Sequence, residues 1–470
     1  LGGGVQLFGP NGVIGVGALE QYASTSEEDA YAASGAVTQD GSIAVGGTGP
    51  QDNAFVDVTE LLDTAALSAI TTGLISELRV ELGALSATAG SVGDDLATSD
   101  YQIADGTLVF TSPVVQNLTT NLNGALTTLT TTANGITGPT GVLGAALPGI
   151  ATTLVTPLTT LLRNLTGGLV NVNNVAVTAT LTTNLNTALS SITAAPLTSP
   201  DGAVSINLAT GEVRADIARL IANSQGGPYD GTLNNLAPNT EILAPALIQA
   251  ALDGATQSVL DQIPALLVTA ANNTLRSSAM TVRLTANATT LGVPTATINV
   301  LASGTVASFL GTPGAAAPVL TTTGTTLVGL PVGQLLTPLL ALVTNTLLPA
   351  IVTPLTNAVT GVGILDTAFR PLVVAAGTAL QPITGVINQI LSITANVQEA
   401  GSFTTPAGFD EGAFTQRAVS IDLLPLLGTP LAEVNLASAT VRSAVVPAVD
   451  VAITAPLDGS VLTVPDSGAT

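Results

Sequence analysis

The chain has no cysteine, histidine, lysine or tryptophan, and only 9 % of its 470 residues are charged, against roughly 25 % in an ordinary soluble domain. Without histidine there is no imidazole base, no His-based triad and no His metal ligand. Without cysteine there is no thiol nucleophile, disulfide, zinc–thiolate or iron–sulfur site. Without lysine there is no Schiff base, no Walker-type phosphate lysine and no lysine isopeptide cross-link. The nine cations are all arginine, set against 31 acids, and the formal charge is −22. Such a chain offers no basic stripe for nucleic acid and is repelled by anionic lipid. Paired carboxylates, oxygen-ligated cations such as Ca²⁺, and recognition by shape survive this exclusion. The lack of cysteine leaves the compartment open, since it fits an exported bacterial protein and a cytosolic one alike.

What is present is aliphatic and small. Apolar residues make up 46 % and aromatic residues 3 %, so a core must be built from Ala, Val, Leu and Ile. Length alone suggests about three domains. The sequence opens on Leu1 without Met, charged n-region or apolar h-region, as a mature exported chain or a fragment would. Mean hydropathy is +0.56, which raises the question of a membrane span. The best candidate, LLTPLLALVTNTLLPAIVTPLTNAV from Leu335, is broken by three prolines and has no basic flank or aromatic belt. It reads as a helix buried in a protein core, with Thr on its less buried side.

Internal repetition is the strongest signal. Four segments alternate strictly: Val80, Leu82, Ala84; Val175, Val177, Ala179, Leu181; Val282, Leu284, Ala286; and Leu391, Ile393, Ala395, Val397. A period of two puts one face in a core and the other towards solvent. Further strand-like elements follow each, with Asp105-Gly106 and Thr210-Gly211 at the expected turns. A helix-like apolar run precedes each, beginning near Leu61, Ser112, Leu243 and Leu335; Pro245 suits a first helical turn and Pro264 should break the third run.

The expected fold class is therefore α/β (α+β): an elongated modular protein of about four helix-plus-antiparallel-strand units. The units are 61–111, 112–232, 233–330 and 331–443, with a β-rich, Gly-rich segment 1–60 and an extended strand tail 444–470.

The densest acids are Glu27, Glu28 and Asp29, then Asp94 and Asp95, then Asp410 and Glu411. They are weak Ca²⁺ candidates, since no EF-hand or nonapeptide pattern surrounds them; solvated loops are the plainer reading, and no cofactor is expected. No carboxylate pair is singled out for glycoside hydrolysis, and the Asn-x-Ser/Thr triplets at Asn117, Asn164, Asn273 and Asn287 are what a Thr-rich chain yields by chance. Thr runs such as TTLTTTANG from Thr127 lack a short fixed period and read as solvated helix faces. In the tail, Val449, Val451 and Ile453 alternate, and Val461 and Val464 follow a Pro-Leu-Asp-Gly turn. No helix accompanies these strands, so they, or Val5 and Leu7 within 1–16, are the candidates for pairing with a neighbouring subunit.

Several stretches resemble actinobacterial surface proteins of the "choice-of-anchor G" family: LEQYASTS from Leu19, ASGAVTQDGSIAVGG from Ala33, SDYQIADGTLVFTSP from Ser99, GAVSINLATGEVRADI from Gly202, and FTQRAVSIDLLP from Phe414 with AEVNLASATVRS from Ala432. The resemblance implies secretion and attachment to the cell envelope, and no catalytic residues. The expectation is a non-enzymatic extracellular structural protein of the cell surface or cell wall. It would self-assemble into a filament or surface layer by packing or strand pairing, with itself and the envelope as partners. The alternative is a monomeric adhesin for carbohydrate or another surface. An apolar-ligand carrier and an envelope hydrolase are weaker readings.

Overall fold

The computed structural model describes residues 7–8, 12–17, 20–26, 29–43, 53–62, 67–68, 71–93, 95–168, 170–327, 332–361, 365–400, 413–425 and 429–442. It is an α+β protein with four sheets whose strands pair antiparallel. Sheet I runs Ile14–Val16, Ala54–Asp57, Glu77–Gly83, Thr107–Thr111, Glu212–Asp216, Val204–Ile206, Leu197–Thr198. Sheet II runs Glu20–Thr25, Asp29–Gly35, Leu85–Val92, Asp95–Ile103. Sheet III runs Val319–Thr322, Val293–Thr305, Ala279–Thr290, Val170–Thr182, with Thr326–Leu327 also on Val293–Thr305. Sheet IV runs Thr240–Glu241, Leu391–Ala400, Ala413–Leu423, Ala432–Arg442.

The alternating segments are strands, and the apolar positions face inward. Leu78, Val80 and Leu82 are buried, while Glu77, Arg79 and Glu81 line the other face. Met280, Val282, Leu284, Ala286 and Ala288 are buried down the length of Ala279–Thr290. One strand departs from simple alternation. Asn174 has φ 52° and the pairing with Ala279–Thr290 shifts by one residue beside it. This bulge leaves Val175 half-buried while restoring Val177, Ala179 and Leu181 to the core face. The hairpin of Ala279–Thr290 and Val293–Thr305 turns on Leu291-Gly292, both at positive φ (48° and 84°), as the favoured two-residue turn requires.

One expected turn is corrected. Asp105-Gly106 joins Asp95–Ile103 of sheet II to Thr107–Thr111 of sheet I, so it is a crossover between sheets and not a hairpin. Local bonds to Asp105 Oδ1 from Gly106 N–H (2.6 Å) and Thr107 Oγ1 (3.1 Å) explain why the dipeptide looks like one.

The helices begin and break where the sequence indicates. Ser112 caps Pro113–Gly135: its Oγ accepts from Val114 N–H at 3.2 Å and donates to Leu74 O at 2.7 Å. The run from Leu243 divides into Pro245–Leu260 and Gln262–Ser277, with Pro264 in the second helix's first turn. A π turn, Val343–Leu347, separates Val332–Leu342 from Leu348–Gly361, directly before Pro349, which has no N–H to continue the ladder. Of the run expected near Leu61, the described residues Thr59–Leu62, Leu67–Ser68 and Thr71 are helical.

Threonine replaces charge on exposed helix faces. Thr128 and Thr132 donate to the carbonyls four residues back, Gly124 and Thr128, each at 3.1 Å. Three helices, Val142–Thr166, Leu335–Asn357 and Thr367–Ile390, are long and apolar enough to cross a membrane by length and composition. Each contains internal prolines and lays an apolar stripe on the protein. Leu147, Leu154, Leu158 and Leu162 of Val142–Thr166 are buried, and this helix covers Val170–Thr182.

The strands of one sequence unit do not stay together. Val204–Ile206 and Glu212–Asp216, following the second unit's helices, join sheet I beside strands of the first unit. The second unit's Val170–Thr182 instead pairs with the third unit's Ala279–Thr290. Sheet IV, from the C-terminal part, packs face to face on sheet II, from the N-terminal part. Small residues serve this contact: a Cβ on Gly35 would lie 3.0 Å from Ala437 Cβ, and Ala87, Ala89 and Ala439 of the two sheets are buried. Helix Leu365–Leu380 packs on Pro113–Gly135, Pro245–Leu260 and Gln262–Ser277, so helices of three units form one layer and the buried residues make one continuous core.

Candidate functional site

Two of the acidic positions lie at the same level of one sheet, two strands apart. Asp29 and Asp95 each pair with Val92, from opposite sides, at one end of sheet II. Asp29 N–H donates to Ser26 Oγ at 3.1 Å, closing a turn. Among the described residues no group of three or more acids is arranged to hold a metal ion. Glu27, Glu28, Asp94, Asp410, Glu411, Val5, Val449, Val451, Ile453, Val461 and Val464 lie outside the described residues. Leu7 is half-buried against the core and its carbonyl accepts from Ile14 N–H at 2.8 Å, so it is already engaged within its own chain.

The sheet edges differ in how they are closed. The edge of sheet II is covered at Tyr101–Ile103 by the 233–236 loop. Ile103 N–H donates to Asn234 Oδ1 at 2.8 Å. The Tyr101 hydroxyl donates to Leu233 O at 3.1 Å and accepts from Leu236 N–H at 2.7 Å. Burial pushes that phenol up to about 12. The outer strand of sheet IV, Ala432–Arg442, carries Glu433 and Arg442, charges of the kind that discourage further pairing.

Sheet III ends differently. Val170–Thr182 is a 13-residue edge strand, VNVNNVAVTATLT, with no charged residue and no proline. Hydrogen-bond parity decides which of its backbone groups are free. Val306 N–H donates to Ser278 O at 3.0 Å, in register with the pairing of Ala279–Thr290 on Val293–Thr305. Even-numbered residues of Ala279–Thr290 therefore bond Val293–Thr305, and odd-numbered ones bond Val170–Thr182. Thr178, Thr180 and Thr182 lie opposite Arg283, Thr281 and Ala279 and take those bonds. Val177, Ala179 and Leu181 turn N–H and C=O to the open side. These residues are 6, 8 and 6 % exposed, against 1, 1 and 0 % for Met280, Val282 and Leu284 one strand inward.

Both ends of this edge are stopped by side chains. Asn134 imitates a strand at one end: its Oδ1 accepts from Thr183 N–H at 2.8 Å and its Nδ2 donates to Thr183 O at 3.0 Å. At the other end Arg163 Nε donates to Val170 O at 2.9 Å. The stretch between has no such partner among the described residues.

A second feature is a groove of about 500 Å³ where sheets II and IV meet the 233–236 loop. Amides dominate its lining: Gln102, Asn234, Asn235, Asn396 and Gln398, with Asp100 beside them. Asn396 is tied down, donating to Leu236 O at 2.8 Å and accepting from Gln416 Nε2 at 3.0 Å, whereas the side chains of Gln102 and Asn235 have no hydrogen bond among the described residues.

Sheet IV also holds a carboxylate in an acid-sensitive place. Glu241 accepts from Ile393 N–H (3.0 Å), Leu243 N–H (3.1 Å) and the Ser392 hydroxyl. Burial, aided by the charge of Asp422, holds its pKa above the ordinary 4.5 despite those bonds. The folded state thus keeps this proton more tightly than the unfolded one. Its contribution to stability is complete below the ordinary carboxylate value and is lost as pH rises through the raised value. Glu241→Gln fits the same partners, with Ser392 accepting. The melting temperature of this variant is expected to fall less than the parent's as the pH is raised from below 4.5 to neutrality.

The open edge and the amide groove were not singled out from sequence. The edge had a usable signal: thirteen consecutive residues without charge in an alternating pattern. The groove had none, because its residues come from three distant segments.

A family model described as "Domain of unknown function (DUF8394)" matches residues 1–442, and the chain belongs to that family. No curated protein and no solved structure matches it.

Proposed function

We propose that this family member is a non-enzymatic structural subunit of an extracellular bacterial surface. Its copies join by non-covalent packing or strand pairing into a filament or layer. The observation that carries this reading is the uncharged edge Val170–Thr182, whose central backbone groups have no partner among the described residues, while the long edge strand Ala432–Arg442 of sheet IV is charged and the edge of sheet II is covered at Tyr101–Ile103. Long uncharged edges are templates for pairing with another chain. On a chain of −22, an uncharged strand is where two copies approach with least repulsion. The resemblance to "choice-of-anchor G" surface proteins supports the extracellular location, and envelope attachment comes from that resemblance alone. The missing His, Cys and Lys side chains make a structural role the simpler one.

A second reading rests on the amide groove. Free Asn and Gln side chains around a cleft suit a neutral, hydroxyl-rich ligand, as in a carbohydrate-binding adhesin.

Sedimentation velocity and negative-stain electron microscopy of the purified chain separate the two. The structural reading expects species larger than the 46.3 kDa chain, increasing with concentration. A monomer at every concentration overturns it, and a monomer that binds glycans in an array favours the adhesin.

A further inference from the structure

We infer that the open edge Val170–Thr182 pairs with the same edge of a second copy about a two-fold axis at Ala179. The inference rests on the assembly reading above and specifies one contact and its register.

The register follows from which backbone groups are free. Only Val177, Ala179 and Leu181 point outward from the regular part of the strand, between the bulge at Asn174 and the Asn134 plug at Thr183. In an antiparallel pair, outward residues must face outward residues. Setting Ala179 opposite Ala179 places Val177 opposite Leu181 and Leu181 opposite Val177. That alignment satisfies all three outward residues on both copies, and a shift by two residues in either direction leaves outward groups unpaired. It also places the bulge and the plugs beyond the paired stretch.

The side chains agree with this alignment. Paired residues share a face, so Val177, Ala179 and Leu181 of the two copies extend one apolar surface, with the covering helices on the same side. On the other face Thr178 meets Thr180, and Ala176 meets Thr182. A Thr–Thr pair of this kind already exists inside the sheet, where the Thr180 and Thr281 hydroxyls are 2.6 Å apart. No charged residue enters the contact, so self-pairing is not opposed locally by the acidic excess. The partner is thus a second copy of this chain, and two five-stranded sheets become one continuous sheet.

The native chain has no cysteine, which gives a clean test. In the full chain carrying T178C and T180C, each new thiol faces its counterpart across a non-hydrogen-bonded pair about 4.5 Å apart at Cα, within disulfide range. Mild oxidation is expected to give a covalent dimer, whereas T178C alone gives none, because Thr178 faces Thr180 and not itself. Ala179→Pro removes an N–H that points to solvent in the isolated chain, so its melting curve should stay close to the parent's. It should weaken self-association by roughly tenfold or more.

Assembly of the parent chain together with no cross-linking and no effect of Ala179→Pro overturns this contact and leaves the assembly reading standing. A disulfide dimer from T178C alone overturns the register. Assembly unaffected by Ala179→Pro but abolished by deleting residues 445–470 gives the joining role to the C-terminal strands and overturns the two-fold contact. A parent chain that stays monomeric at all concentrations overturns the assembly reading itself.

Discussion

Replacing Phe369 with alanine is expected to destabilise the fold by about 3–5 kcal/mol, the usual range for a fully buried Phe. Phe369 is 0 % exposed and heads the largest buried side chains. Its helix, Leu365–Leu380, is held against Pro113–Gly135, Pro245–Leu260 and Gln262–Ser277, so the cavity has neighbours fixed on several sides and little freedom to collapse. The chain contains only eight phenylalanines, and the surrounding core is Ala, Val and Leu, whose short side chains cannot reach across the gap. Urea unfolding reads the effect as a lower midpoint at unchanged slope. An unchanged midpoint would mean that this helix is not part of the common core.

Gly35→Val should be of similar size and act at a different joint. Gly35 has φ +101°, and a Cβ there would sit 2.2 Å from Leu85 O and 3.0 Å from Ala437 Cβ. The first contact is with backbone in its own sheet, the second with the facing strand of sheet IV. Backbone strain and overpacking at about 1–3 kcal/mol each sum to about 2–6 kcal/mol. Because the bulk enters between sheets II and IV, loss should be local before it is global. Amides of Ala413–Leu423 and Ala432–Arg442 should lose exchange protection while those of Val142–Thr166 keep theirs. Equal loss in both regions would show that the sandwich and the helical layer unfold as one unit.

Much of the local structure was legible because it depends on spacing. Val80 and Leu82 announce a one-sided strand, although Ala84 of the same pattern lies just past its end at Gly83, Pro245 announces a helix start, and Pro264 announces a break. The way the strands combine was not legible. Nothing in AVSINLATGEVRADI says that it pairs with Thr107–Thr111 instead of Val170–Thr182, since either partner would cover its apolar face. Asp105-Gly106 misled for a related reason: Asx hydrogen bonding makes the same local turn whether the chain returns to its own sheet or leaves for another. The contact of sheets II and IV brings Gly35 against Ala437 across the chain, a coincidence that sequence separation hides. The candidate site shows the same division. That Val170–Thr182 is a strand is plain from its alternation, but that it lies on a rim depends on Ala279–Thr290 being paired elsewhere on its other side.

Amide hydrogen exchange along Val170–Thr182, followed from dilute to concentrated protein, tests the assembly account most directly. In the isolated chain the amides of Thr178, Thr180 and Thr182 are bonded within the sheet and should exchange slowly, while those of Val177, Ala179 and Leu181 face water and should exchange fast. The account predicts that these three become protected as concentration rises, with no change in the other three. Fast exchange at Val177, Ala179 and Leu181 in fully assembled protein would contradict it.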